Sequence, residues 1–166
     1  VLVAGSISRT QLFEREGRSA ANHVRDLITE QVRLLADAKV DFLILETFFH
    51  LEEMLIAIER SIASTLPILA TMTFRPTVTR CSDGHAPADC ARAMVDAGAA
   101  IVGVNCEQEP DRMLAIIREM RKAVSHAWLT YQHAKYGVLA RTLPKLLRDA
   151  QAADSAHACG DDARDA

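Results

Sequence analysis

The chain has 166 residues, 49% of them hydrophobic and 25% charged, with seven Gly and five Pro. That composition predicts one globular domain and excludes a fibre or a disordered tail as the whole chain. Nineteen basic against twenty-two acidic residues leave a formal charge of −3. Such a balance argues against nucleic acid or an anionic membrane surface as partner. No apolar run approaches the roughly 20 residues of a membrane span. Cys81, Cys90, Cys106 and Cys159 form no C-x-x-C pair. A chain this long does not need disulfide staples, so free thiols or metal ligands in a reducing, cytoplasmic setting are expected.

Val1 to Ala4 is an apolar run ending in Gly5-Ser6, which predicts a first buried strand. A polar stretch, Ser8 to Arg18, follows. Ser19 is placed to cap a helix carrying Val24, Leu27, Ile28 and Leu35 at helical spacing. Val40 to Leu45 predicts a second strand ending in Glu46, and Leu51, Met54, Leu55, Ile58 and Ile62 a second helix. Pro67 opens a third strand, Ile68 to Phe74. Arg75 to Ala86 reads as a loop, and Pro87 as the first turn of a helix stopped at Gly98. Ala100 to Val104 predicts a fourth strand, Met113 to Val124 a helical stripe, and Ala127 to Gln132 a fifth strand.

Successive strand ends at Glu46, Phe74, Cys106 and Gln132 are 28, 32 and 26 residues apart. Those intervals are near the βαβ repeat of about 30. The fold class is therefore α/β, with about five parallel strands alternating with helices. It is either an open doubly wound sheet or part of a (β/α)₈ barrel, since a closed barrel takes about 250 residues. Residues 139–149 predict a helix interrupted by Pro144. Residues 150–166 contain no Leu, Ile, Val, Met or aromatic side chain and predict a disordered tail. The first strand starts at residue 1 with no Met before it, as in a processed chain or a piece of a longer one.

Catalytic groups of parallel α/β folds gather at the carboxyl ends of the strands. This chain sets Glu46, Thr71 and Thr73, Asn105-Cys106, and Tyr131-Gln132 there. Taken alone, Glu46 also fits a solvated loop carboxylate and Asn105 ordinary turn chemistry. Cys106 equally fits a buried small side chain. Cys81, His85 and Cys90 lie close in sequence but match no common zinc spacing. His23, His50 and His126 read as surface residues, and Phe48-Phe49 as packing.

Five strings carry a resemblance. Val40 to Thr47, VDFLILET, is similar to a strand of the homocysteine S-methyltransferase family, as are Pro67 to Phe74 and Gly98 to Cys106. Val3 to Ser8 resembles the family's A-G-S-x-S strand, and Leu129 to Tyr136 is nearest the betaine type. The resemblance implies a partial TIM (β/α)₈ barrel over residues 1–138, with the family's first two strands falling before Val1. It implies a zinc-dependent enzyme that moves a methyl group from a small, betaine-like donor to homocysteine sulfur, giving methionine. Cys106 corresponds to a zinc-ligand cysteine and Glu46 to the carboxylate holding the homocysteine amino group; both count as catalytic. Gly5, Ser6, Thr47 and Asn105 fall on the substrate side. The family's remaining two ligands are adjacent cysteines on its last strand, and this chain has no Cys-Cys pair. A noncatalytic α/β module without the metal is the competing expectation, and an unrelated α/β enzyme using Glu46 and Cys106 directly is a third. Unpaired sheet edges predict self-association as a homo-oligomer.

Overall fold

A computed structural model describes residues 1–76, 78–107 and 109–131, with side chains as far as Val124. Four strands form one parallel sheet: β1 (Ala4–Ser8), β2 (Phe42–Phe48), β3 (Ile68–Met72) and β4 (Ile101–Val104). The helices are α1 (Leu12–Glu16), α2 (Ala21–Asp37), α3 (Leu51–Ile62), α4 (Pro87–Asp96) and α5 (Pro110–Tyr131). The unit discussed below is Val1–His126, one of two into which the chain divides.

The strand order in space is β1-β2-β3-β4, the order of the sequence. A parallel crossover is right-handed in nearly every known case, so crossovers that always step the same way put every helix on one face. A doubly wound sheet needs a reversal of strand order, and none occurs among these four strands. The winding is that of a barrel wall.

One-sided cover decides which residues form the core. Along β2, Leu43 and Leu45 are buried while Ile44 and Glu46 are partly open; along β3, Ile68, Ala70 and Met72 are buried and Leu69 and Thr71 are not. The covered face packs on Val24, Ile28 and Val32 of α2, Met54, Ala57 and Ile58 of α3, and Cys90, Ala91 and Met94 of α4. Gly5 lies where α2 comes closest: a Cβ there would sit 3.0 Å from Leu35 Cδ1.

Several expectations change. The first strand is Ala4–Ser8 rather than Val1–Ala4, and Val1, Leu2 and Val3 are exposed. The reason is register, since Ala4 pairs with Phe42 and Ser8 with Glu46. Ser19 does not cap α2; it lies in a 3₁₀ turn and its hydroxyl donates to Glu16 O. The polar stretch before it contains α1. Gly98 follows α4 with φ +109°, one residue beyond the capping Ala97. Ala99 N–H donates to Met94 O and Gly98 N–H to Val95 O, a Schellman arrangement that satisfies the last carbonyls. His50 is half-buried against the Phe13 ring, 6.0 Å between centroids.

The sheet has four described strands, not five. Residues 127–131, expected as a strand, continue α5 to Tyr131. From Pro110 to Tyr136 no Gly or further Pro interrupts the chain, and Met113, Ile116, Ile117, Met120 and Val124 set a helical period that nothing in the sequence stops. Gln132 and the expected helix (139–149) and tail (150–166) lie outside the described residues. Among the described residues no helix is long and apolar enough to cross a membrane.

A buried carboxylate fastens the β1–α1 connection. Glu53 of α3 is 1% exposed, and its Oε1 accepts from Thr10 N–H at 2.8 Å and Thr10 Oγ1 at 2.7 Å. Hydrogen bonds to a charged group contribute about 1.5–3 kcal/mol. Glu53→Ala leaves Thr10 N–H without its acceptor and opens a cavity, so a loss of about 2–3 kcal/mol is expected. Urea unfolding followed by circular dichroism measures it.

Candidate active site

The carboxyl edge departs from regular strand geometry at β2. Leu45 pairs with Ala70 but Phe48 pairs with Met72, so β2 carries one extra residue between those points. The bulge falls on Glu46-Thr47. Bulges re-aim side chains and recur beside active sites. Here the extra residue lets Leu45 and Phe48 both face the helices, while Glu46 remains on the open side. Thr47 takes φ +64°, an uncommon value for a β-branched residue.

Asn105, the residue after β4, holds that conformation. Its Oδ1 accepts from Thr47 N–H at 3.1 Å, and its Nδ2 donates to Thr47 Oγ1 at 2.9 Å. The same Nδ2 lies 3.3 Å from Cys106 Sγ, and Thr47 Oγ1 lies 3.7 Å from that sulfur. The Thr73 hydroxyl, buried at the end of β3, donates to Asn105 O at 3.0 Å and also lies 3.3 Å from Oδ1. One amide therefore ties together the ends of three strands. Cys106 follows with φ +56° and Glu107 with φ +52°, a left-handed turn that lifts the thiol into solvent, where it is exposed.

Glu46 receives a hydrogen bond at Oε1 from Ser6 Oγ, 2.5 Å away on the neighbouring strand. Gly5 is buried beneath α2, one residue before Ser6. Parallel pairing places Ser6, Glu46, Thr47, Asn105 and Cys106 on one sheet edge, with a carboxylate, hydroxyls, an amide and an open thiol. The Thr71 hydroxyl is taken up by the sheet instead, donating to Leu45 O. Tyr131 ends the helix α5 rather than a strand. Phe48 and Phe49 are buried, and the Arg9 and Arg75 guanidiniums lie 4.4 and 4.7 Å from the Phe49 ring centroid. Glu14 pairs with both arginines.

Cys81, His85 and Cys90 do not assemble a metal centre. The two sulfurs adjoin, but His85 offers its backbone oxygen to Cys81 N–H while its side chain is exposed. Among the described residues no group of three or more His, Cys, Asp or Glu could hold a metal ion. His157 and Cys159 lie outside them.

Asp83, in the loop before α4, escaped the sequence reading. Its two oxygens accept from Leu51 N–H and Glu52 N–H, each at 3.0 Å, capping α3 from a distant loop, and Cys81 Sγ donates to Oδ1 at 2.8 Å. A local cap is visible as Ser, Thr, Asp or Asn just before a helix; the residue there is His50, so no local signal existed.

A barrel-wound α/β unit with polar groups on its carboxyl edge is the class that fold and site define. A family model for homocysteine S-methyltransferase matches residues 1–158. The chain belongs to the homocysteine S-methyltransferase family. It is 38% identical over 128 residues to betaine–homocysteine S-methyltransferase 1 of Rattus norvegicus, covering 77% of this chain and 30% of that protein. It is 37% identical over 130 residues to S-methylmethionine–homocysteine S-methyltransferase BHMT2 of Pongo abelii, covering 77% of this chain and 34% of that one. The chain thus spans about a third of the curated relatives it matches. The crystal structure of the homocysteine methyltransferase MmuM from Escherichia coli, apo form, superposes with a TM-score of 0.63 at 21% identity, over 74% of this chain and 45% of that one. That likeness shows the fold, a partial (β/α) barrel.

Two measurements test this geometry. Removing the Asn105 amide leaves Thr47 N–H without its acceptor and Thr47 Oγ1 without its donor, while the Thr73 hydroxyl keeps Asn105 O, so Asn105→Ala should cost about 2 kcal/mol in urea unfolding. Asp83 titrates below the ordinary carboxylate value of 3.8: burial pushes it up, but hydrogen bonds from Cys81, Leu51 and Glu52 together outweigh burial. A carboxyl lowered on folding stabilises above its unfolded pKa and loses that stability as pH falls through the folded value. The stability gap between wild type and Asp83→Asn should therefore be present at pH 7 and shrink steadily below about pH 4, read from denaturation midpoints at each pH.

Proposed function

We propose that this chain forms the homocysteine-binding wall of an S-methyltransferase in which homocysteine sulfur takes a methyl group from a small, positively charged donor, giving methionine. The observation that carries the reading is the shared edge: a Ser6-held Glu46 carboxylate on β2, and a Cys106 thiol seated by Asn105 after β4. Glu46 pairs with the substrate's ammonium, and Ser6 Oγ–H keeps the carboxylate turned to the open face. Gly5 fixes the height of β1 beneath it. Thr47 and Asn105 line the far side and set the position of Cys106.

The attacking atom must be a thiolate, because a thiol of pKa about 8.5 is mostly protonated at neutral pH. A bound zinc ion would supply that by stabilising the thiolate. The fit to zinc is incomplete: Cys106 is one donor, and a catalytic site draws three ligands from protein. A lone exposed thiol does not make that site, so no step is assigned to the ion. Full ligation would call for thiolates beyond the described residues. The donor's methyl sits on an onium centre in both named relatives' donors, betaine and S-methylmethionine. The two relatives are almost equally similar to this chain, so betaine is preferred only through the Leu129 to Tyr136 string.

The single shortfall in ligands favours one other reading, a noncatalytic α/β module that keeps the sheet. Calorimetric titration separates them. If the site is a homocysteine site, the chain binds homocysteine, and Glu46→Gln weakens binding about tenfold, the loss of one charge-assisted contact. Zinc retained after dialysis should be substoichiometric and fall further in Cys106→Ala. No homocysteine binding, or stoichiometric zinc that survives Cys106→Ala, would overturn the assignment.

A further inference from the structure

The Cys81–Cys90 pair plays no part in the edge chemistry, yet its geometry is specific. The sulfurs lie 3.7 Å apart in the core, near contact distance, and a disulfide needs about 2.0 Å. An approach of about 1.7 Å therefore closes the bond. Cys90 is the fourth residue of α4 and wholly enclosed; Cys81 is in the preceding loop and slightly open. The loop holds Cys81 in place on both sides, through Cys81 N–H to His85 O at 3.0 Å and Gly84 N–H to Cys81 O at 2.9 Å, with Gly84 at φ +90°. Asp83 Oδ1 accepts the Cys81 thiol at 2.8 Å, which fixes the direction of the more open sulfur. The Cys90 thiol beside it, working against burial and the Asp83 carboxylate, holds Cys81 below the ordinary thiol range; Cys81 and burial together push Cys90 up.

We propose that Cys81 and Cys90 form a redox-active dithiol that small-molecule disulfides convert to an internal Cys81–Cys90 disulfide. Cys81 loses its proton to water, and the thiolate attacks one sulfur of the reagent R–S–S–R, forming Cys81–S–S–R and releasing RS⁻, which takes a proton back from water. The Cys90 sulfur then attacks Cys81 Sγ, expelling a second RS⁻, which takes the Cys90 proton. Two protein thiols lose two electrons in total, and the reagent disulfide is reduced to two RSH. The attacking sulfur needs thiolate character and access, and Cys81 has both in greater measure than Cys90.

The loop reports to the carboxyl edge. Ser82 N–H donates to Phe49 O at 2.8 Å, and Phe49 directly follows the strand that carries Glu46 and Thr47. Closing the disulfide draws Cys81 Sγ off Asp83, whose carboxylate keeps its two α3 amides. The bond therefore tethers α4 to the loop that supports the β2 end.

The experiment treats the folded 166-residue chain with oxidised glutathione, blocks remaining thiols with iodoacetamide, and maps peptides by mass spectrometry. The expected result is a cross-linked pair joining residues 81 and 90, with any glutathione confined to the other cysteines, and recovery of both thiols of the pair on treatment with dithiothreitol. Cys90→Ala should trap glutathione on Cys81 as a lasting mixed disulfide, and Cys81→Ala should leave Cys90 unmodified. Recovery of both residues as free thiols in the wild-type chain, or a mixed disulfide that persists at Cys81 with Cys90 present, would overturn the proposal. The wild-type map does not depend on either variant folding.

Discussion

The layout of the described sheet and its helices depends on one constraint, that successive parallel strands step the same way across the sheet. Right-handed crossovers then stack α2, α3 and α4 on a single face, and apolar side chains on alternate strand positions sink into that layer. The opposite face keeps small and polar groups: Ser6, Ser8 and Glu46 remain open or half open. All strand ends of one polarity fall on one edge, so chemistry from β1, β2 and β4 meets without any long-range design in the loops. A doubly wound sheet would have buried both faces and put its crevice at a reversal that this chain lacks.

Two polar residues convert that edge into a defined site. Asn105 spends its whole amide on the ends of β2 and β3 and on the neighbouring sulfur, which holds a left-handed Thr47 and presents Cys106. Conformations of that kind cost on the order of 1–3 kcal/mol each and persist only where surrounding contacts over-determine them. Asp83 does the corresponding work one layer out, joining the α4 loop to the start of α3. Its third partner, Cys81, links the supporting loop to a second thiol, so the structural tether and the redox pair share an atom. Membership of the homocysteine S-methyltransferase family accords with this layout, which sets a carboxylate and a thiol on the same rim.

By itself the sequence determined the alternation of strands and helices from the second strand to the fourth, the strand-end residues Glu46, Thr73 and Asn105-Cys106, and the family. Those depend on local matters: β-branched runs bounded by Gly and Pro, helical spacing of Met and Leu, and strings such as Gly98 to Cys106 that survive intact. Pro87 and Gly98 marked the two ends of α4 because their backbone limits act within a turn. The tertiary structure alone decided the rest. Whether the sheet is wound like a barrel depends on strand order, which no single segment encodes. The start of β1 was set by pairing with Phe42, not by the hydrophobicity of Val1 to Val3. The stretch after Val124 was apolar enough for strand or helix, and continuity with α5 chose the helix. The bonds from Ser6 to Glu46, Asn105 to Thr47 and Cys81 to Asp83 join positions whose chemistry was legible but whose partners became fixed only when the chain packed, since hydrogen bonds depend on distance in space rather than along the sequence.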